Sequence, residues 1–234
     1  MHQDIGAIGD VGPPGEFARR VADAADARDE DHAHRAKPRH HLRVVAGAGG
    51  QAHRFQSERG SRFLDRGLNF GCGDRGRVVL DFRHKEKGAG ISEDEIKEAV
   101  GKIGYTLKEK DIVLIQTGAS AYNTEKRYLT DHCGMTAAAT RYLISQGVRL
   151  MGIDAVTFDP PVWAMFERKQ FWEAHLVMMD EDYWHIENMT NLDQLPPHGF
   201  KLSVFPIKWQ GTTAAPVRAV AIVEDGQNDS LAHG

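Results

Sequence analysis

The stretch Asp111-Ile-Val-Leu-Ile-Gln116 is a continuous apolar run of strand length, and Thr117-Gly118 interrupts it at its carboxyl end. An apolar run of this length, without alternation between apolar and polar residues, predicts a buried β-strand. Further strands are predicted at residues 78–82, which are rich in β-branched residues, at residues 148–153, and at residues 183–187, where the side chains alternate between two faces. Two more strands are predicted near the carboxyl end, at residues 200–207 and 217–223.

Helical patterns separate the predicted strands. Ser92-Glu-Asp-Glu95 fits a capping box that begins a helix ending near Gly104. A second helix is predicted to begin at a cap formed by Thr130 or Asp131, and a third to occupy residues 167–179. Because strands alternate with helices, the sequence predicts an α/β fold with a mixed sheet.

The composition of the 234-residue chain predicts a cytoplasmic globular enzyme or binding domain, with 41% hydrophobic and 26% charged residues. No apolar run approaches the ~20 residues of a membrane-spanning helix, so we expect no membrane partner. A net charge of −4 argues against a general nucleic-acid binder. The two cysteines, Cys72 and Cys133, exclude a disulfide scaffold and a multi-cysteine zinc knuckle.

The chain divides near Arg77 into two parts of different composition. Ile, Leu, Val and Met number 10 in residues 1–77 and 39 in residues 78–234. The first part is rich in Ala, Gly, Arg and His, and it contains no Thr, Tyr or Trp. So little apolar surface predicts a disordered or weakly ordered extension, and the alternative is a shifted reading frame of a GC-rich gene. Residues 78–234 are predicted to form the folded α/β domain.

Two residues near the carboxyl end are the main candidates for chemistry. His175 lies on the apolar face of the helix predicted at residues 167–179, where a core histidine is the alternative interpretation. Glu187 shares one face of its predicted strand with Tyr183 and His185. A buried carboxylate is costly alone, so Glu187 needs a partner such as a histidine or a metal ion, unless it faces solvent.

Asp154 and Asp159 are further candidates because they flank the carboxyl end of the strand predicted at residues 148–153. Ligand sites in α/β sheets form preferentially outside that edge. For Asp154 the alternative role is that of a carboxylate that caps a loop.

A set of segments spread over residues 78–223 recurs in a known order and spacing. They are Lys110-Asp-Ile-Val-Leu-Ile-Gln-Thr-Gly118, Gly147-Val-Arg-Leu-Met-Gly-Ile-Asp154, Phe171-Trp-Glu-Ala-His175, His185-Ile-Glu-Asn-Met-Thr-Asn-Leu192, Phe205-Pro-Ile-Lys208 and Pro216-Val-Arg-Ala-Val220. With these segments the sequence resembles the metal-dependent cyclase hydrolases, the family of bacterial kynurenine formamidase and isatin hydrolase.

The resemblance implies a swivelling β/β/α fold assembled as homo-oligomers, dimers or larger. It also implies a divalent metal, zinc or manganese, and hydrolysis of an amide or lactam bond in a small aromatic substrate. By position His175 matches the late active-site histidine of the family, and Glu187 matches its late glutamate. The resemblance gives both residues the role of proton carriers or secondary metal ligands.

The sequence departs from the family at the primary metal motif, His-x-Gly-Thr-His-x-Asp-x-Pro-x-His. Residues 1–77 contain no Thr, so the motif is absent upstream of residue 78. Because His175 and Glu187 alone are too few ligands for a stable site, metal binding is in doubt and the family's other ligands are unknown here. Three functions remain open: a hydrolase whose activity is impaired, a catalytically inactive remnant that keeps the fold and the oligomer interface, and a ligand-binding domain that uses Phe171, Trp172 and Trp184.

Overall fold

A computed structural model of the protein describes residues 42–46, 50–53, 76–207 and 214–224. All of them lie in one compact unit, His40–Gly234. The predicted division at Arg77 stays a prediction because most of residues 1–77 lie outside the described residues. Two short strands upstream of Arg77 do belong to the main sheet.

Ten strands are present in the described ranges. In chain order they are β1 Leu42–Ala46, β2 Gly50–His53, β3 Arg77–Asp81, β4 Gly90–Ile91, β5 Ile112–Gln116, β6 Gly134–Met135, β7 Leu150–Ile153, β8 Trp184–Glu187, β9 Lys201–Pro206 and β10 Ala214–Glu224. The α-helices are α1 Glu93–Lys102, α2 Ala137–Ser145, α3 Val162–Arg168 and α4 Glu173–Leu176. Four short 3-10 turns lie at Ala119–Tyr122, Lys126–Leu129, Val177–Met179 and Leu192–Gln194. None of the helices in the described ranges is long and apolar enough to cross a bilayer.

The main sheet is mixed, as predicted, with the strand order β1-β10-β2-β8-β7-β5-β3 and β9 paired to β10. Strands β3, β5, β7 and β8 run parallel to one another. Strands β1, β2 and β9 are antiparallel to β10, and β2 is antiparallel to β8. A separate pair, β4 and β6, forms a small parallel ladder.

Strands β5 and β7 are buried on both faces, which explains their largely apolar sequences. On one face Val113 and Ile115 of β5 pack with residues of α1, α2 and α4. On the other face Ile112 and Leu114 of the same strand pack with residues of β9 and β10. The strand predicted from residues 111–116 therefore lies between two hydrophobic cores.

The prediction for the first helix is confirmed in detail. The Ser92 side chain accepts a hydrogen bond from the Glu95 N–H, and the Glu95 side chain accepts one from the Ser92 N–H. This is the reciprocal capping box that the sequence indicates.

The predictions for the next two helices are wrong at their boundaries. The cap of α2 is Thr136, whose hydroxyl accepts the Ala139 N–H, whereas Thr130 and Asp131 precede the short strand β6. The helix predicted at residues 167–179 is broken, because Lys169 and Trp172 adopt left-handed backbone conformations with φ of 56° and 53°. Phe166 and Phe171 contact each other edge-on across this break, with ring centroids 5.1 Å apart.

Candidate metal centre

The carboxyl ends of the four parallel strands meet at one edge of the sheet, where ligand sites of α/β proteins usually form. Glu187 is the last residue of β8, and Asp154 directly follows β7. The loop after β7 then reaches Asp159, and α4 brings His175 to the same edge. Strand register and one short helix therefore assemble residues that are distant in sequence.

His175, His185 and Glu187 form a buried cluster at this edge. Their exposed fractions are 9%, 0% and 3%. Glu187 Oε1 lies 3.4 Å from Nε2 of His175 and 3.4 Å from Nε2 of His185. One donor atom from each of the three side chains fits within a span of 4.8 Å.

The surrounding residues hold the three side chains in fixed orientations. Glu187 Oε1 accepts a hydrogen bond of 2.7 Å from the Phe158 N–H. The Phe158 ring stacks on the His185 ring, with centroids 4.5 Å apart and an interplanar angle of 8°. The His175 ring meets the His185 ring edge-on at 4.5 Å. Packing thus restricts the rotation of both imidazole rings.

Asp159 binds His175 from the opposite side. Its Oδ2 lies 2.5 Å from Nδ1 of His175 and accepts the His175 N–H, while its Oδ1 accepts the Ala174 N–H at 2.7 Å. Burial lowers the pKa of His175, but the hydrogen bond and charge of Asp159, with the charge of Glu187, outweigh burial, so this pKa is raised. The site therefore favours positive charge next to Glu187.

The donor set fits a divalent metal ion. Two imidazole nitrogens and a carboxylate oxygen are the ligands that zinc and manganese accept. Two ligands at ~2.1 Å from a tetrahedral ion lie about 3.4 Å apart, which matches both separations between Nε2 and Oε1. When His175 is neutral and its Nδ1–H donates a hydrogen bond to Asp159, the lone pair of Nε2 faces the Glu187 carboxylate. A cation or a proton shared between these two groups relieves their repulsion.

The structure brings together the two residues that the sequence singled out, His175 and Glu187, and adds His185 to them. The sequence carried a signal for His185, because it shares a strand face with Glu187 at a spacing of two residues. Sequence reasoning used that alternation only to describe Glu187 and did not name His185 as a ligand.

The two flanking aspartates have different environments. Asp154 accepts hydrogen bonds from the Thr117 N–H, the Thr117 hydroxyl and the Gly118 N–H, which is the loop-capping role considered for it. Burial raises the pKa of Asp154 even though these hydrogen bonds oppose the effect. Asp159 instead contacts His175 directly, so it is the aspartate connected to the cluster.

A cavity of about 710 Å³ also lies at the carboxyl edge of the sheet. Its lining includes Gln116, Asp154, Arg83 and Arg218, but His175 and the other two members of the cluster are not part of it. Both acidic and basic side chains line it, so its charge does not select a ligand class.

The fold and the donor cluster place the chain among α/β proteins with a candidate metal site, and the sequence identifies which class it resembles. Residues 75–160 match the Cyclase family. The predicted resemblance to the cyclase family of metal-dependent hydrolases is therefore confirmed. The matched residues end before His175 and Glu187, so the family match itself assigns no role to either side chain.

Individual relatives agree with this class. The chain is 30% identical over 95 residues to the kynurenine formamidase of Sphingopyxis alaskensis, a match covering 41% of this chain and 42% of the relative. It is 32% identical over 109 residues to the kynurenine formamidase of Bordetella avium, covering 46% of this chain and 47% of the relative. The matches thus span less than half the length of either relative.

A solved structure shares the fold. An isatin hydrolase bound to the product analogue thioisatinate superposes with a TM-score of 0.61 at 20% sequence identity, covering 75% of this chain and 71% of that one. At this identity the likeness establishes the fold and no more.

Proposed function

We propose that the protein is a metal-dependent hydrolase of the cyclase type that cleaves the amide or lactam bond of a small aromatic substrate. The observation that carries the proposal is the convergence of His175, His185 and Glu187 within 4.8 Å at the carboxyl edge of the sheet. The kynurenine formamidase relatives support arylformamides as the substrate class, and the resemblance of the sequence segments to the family of isatin hydrolase adds isatin. Manganese and zinc are the proposed ions.

The three side chains have distinct roles in this proposal. Nε2 of His175, Nε2 of His185 and Oε1 of Glu187 would hold the ion, and a bound ion would supply Lewis-acid polarisation of the substrate carbonyl group. The Phe158 N–H keeps Oε1 of Glu187 in place. The second carboxylate oxygen of Glu187 would accept a proton from the water that attacks the carbonyl carbon and return it to the nitrogen that leaves when the C–N bond breaks. Residues on the chain therefore provide both a metal site and a proton carrier.

An aromatic substrate suits the residues beside the cluster. The Trp172 ring is 41% exposed and meets the His175 ring edge-on, with centroids 5.6 Å apart. Phe171, next to it in the chain, is 42% exposed. Aromatic rings that remain accessible beside a polar cluster offer stacking surface to an aromatic ligand.

The experiment is a hydrolysis assay with metal-depleted protein. Ring opening of isatin and hydrolysis of an arylformamide are followed by ultraviolet absorbance, before and after addition of Mn²⁺ or Zn²⁺. We expect turnover only with metal present, and a fall of about 100-fold or more in Glu187→Gln, because proton transfer by a positioned side chain contributes about 10²- to 10⁴-fold.

Glu98→Gln is the matched control, because the Glu98 side chain is 64% exposed on α1 and pairs only with Lys102 among the contacts described for it. We expect it to retain wild-type turnover. Protein that binds the metal in stoichiometric amount but hydrolyses neither substrate would reject the hydrolase and favour the inactive remnant.

A further inference from the structure

Asp159 is a buried carboxylate that the candidate metal cluster does not include. It is 1% exposed and lies in the loop after β7. An ionised carboxylate so far from water requires several hydrogen-bond donors. The identity of those donors indicates what the residue does.

All the donors described for Asp159 come from the first residues of α4. The N–H groups of Ala174 and His175 donate at 2.7 and 3.2 Å, and the His175 ring contributes its Nδ1 at 2.5 Å. Asp159 therefore holds both the backbone and the ring of His175. The backbone contacts fix the position of the residue, and the ring contact fixes its rotamer.

We infer that Asp159 is the positioning residue that sets the tautomer of His175 and aims its Nε2 at Glu187. An ionised carboxylate can only accept hydrogen bonds, so Nδ1 must carry the ring proton. The neutral ring then has its lone pair on Nε2, which lies 3.4 Å from Glu187 Oε1. Carboxylates that orient metal-binding histidines in this way usually tune the affinity of the metal.

The segment around Asp159 is itself constrained. The Met135 N–H donates to the Phe158 carbonyl oxygen at 2.7 Å. The Tyr183 hydroxyl donates to the Ala174 carbonyl oxygen at 2.5 Å. Trp172 adopts a left-handed conformation immediately before α4, and the Leu176 N–H donates to its carbonyl oxygen. The loop and the helix are thus each held by contacts other than their contact with each other.

The inference rests on the proposed function where metal binding is concerned, but the tautomer is measured without metal. In Asp159→Asn the side-chain NH2 can donate a hydrogen bond to Nδ1, which favours the tautomer with the ring proton on Nε2 and removes the Nε2 lone pair that a metal needs. At a pH where the ring is neutral, we expect nitrogen-15 NMR of metal-free wild type to show the single ring proton of His175 on Nδ1, with His175→Gln identifying its signals. In Asp159→Asn we expect protonation at Nε2 and about 10- to 100-fold weaker Zn²⁺ affinity by calorimetry.

Asp111→Asn is the matched control. Asp111 is also 1% exposed and accepts two backbone N–H groups and one side-chain hydroxyl, but its partners are Gly76, Lys108 and Tyr105. We expect this variant to be less stable than wild type while keeping the wild-type tautomer and Zn²⁺ affinity.

Two results would overturn the inference. One is a neutral wild-type His175 whose single ring proton is on Nε2 and not on Nδ1, which applies even if Asp159→Asn fails to fold. The other is an Asp159→Asn protein with unchanged tautomer and Zn²⁺ affinity. Wild type with the Nδ1 proton but without Zn²⁺ binding would support the positioning role and reject the proposed metal-dependent function, so the two failures are distinguishable.

Discussion

Replacing Gly134 with alanine places a methyl group against the backbone that carries Asp159. A Cβ atom added to Gly134 lies 2.1 Å from the carbonyl carbon of Asp159 and 2.3 Å from both its oxygen and the nitrogen of Pro160. Ordinary contacts of a Cβ atom begin near 3.4 Å, so the Asp159–Pro160 peptide must move by about 1 Å. The obstacle is backbone, which cannot rotate away as a flexible side chain can.

Overpacking of a well-packed interior costs about 1–3 kcal/mol, and a backbone obstacle places Gly134→Ala at the upper end of that range. Gly101→Ala is the control, since a Cβ atom added there meets no atom within 4 Å and the residue is inside α1. Alanine is favoured over glycine in a helix, so this control is expected to gain about 0.5–1 kcal/mol.

The assay is equilibrium urea denaturation of both variants and wild type in the same buffer, with the free energy of unfolding extrapolated to water. The reasoning would be refuted if Gly134→Ala were destabilised by less than about 0.5 kcal/mol, the range of ordinary surface substitutions. It would also be refuted if both glycine variants lost the same free energy.

Three further predictions concern local hydrogen bonds. Ser92→Ala removes the cap of α1 and should lower the free energy of unfolding by about 1 kcal/mol in urea denaturation. Burial raises the pKa of Glu95, but the Lys85 ammonium and the hydrogen bonds of Ser92 outweigh it and lower that pKa from 4.5 to about 2. Glu95 thus stabilises the fold above pH 4.5 and loses this effect as the pH falls towards about 2. The free energies of unfolding of wild type and Glu95→Gln should therefore converge as the pH is lowered through that range. A difference that stays constant with pH would contradict this prediction. Tyr183→Phe leaves the buried Ala174 carbonyl oxygen without its hydroxyl donor and should lower the free energy of unfolding by about 1–3 kcal/mol, measured by heat or urea. An unchanged free energy of unfolding would mean that water already hydrates this oxygen.

Local sequence patterns predicted the elements whose stability is itself local. The strand predicted from residues 111–116 is recognisable because both of its faces are buried, so residues 112–115 are all apolar. The capping box of Ser92 and Glu95 acts within one helical turn, and the structure has it as predicted. The mixed α/β class followed from the alternation of such elements.

Helix boundaries set by distant contacts could not be read in the same way. Residues 167–179 have a helical pattern, but Lys169 and Trp172 leave the helical conformation so that α4 can meet Asp159, more than ten residues upstream. Thr136, directly after β6, is the cap of α2, whereas the sequence pattern indicated Thr130 or Asp131. Tertiary packing decided among these local alternatives.

The candidate site shows the same limit. His175 could be singled out as a polar residue on an apolar helix face, and Glu187 as a carboxylate in a largely apolar strand. The contact of Asp159 with His175, 16 residues apart, depends on how the loop after β7 folds back. The arrangement of His185 beside Glu187 depends on side-chain rotation that Phe158 imposes by stacking. The cytoplasmic location and the homo-oligomer stay predictions.

The most direct test of the metal centre is calorimetric titration of Mn²⁺ or Zn²⁺ into metal-free protein, comparing wild type with His185→Gln. His185 is the donor that structure alone supplied, and its Nε2 lies 3.4 Å from Glu187 Oε1. We predict one ion bound per chain in wild type and binding weakened by about 10-fold or more in the variant, because one of three protein ligands is lost. Absence of saturable binding in wild type, or equal affinity in wild type and His185→Gln, would contradict the assignment of this cluster as a metal site.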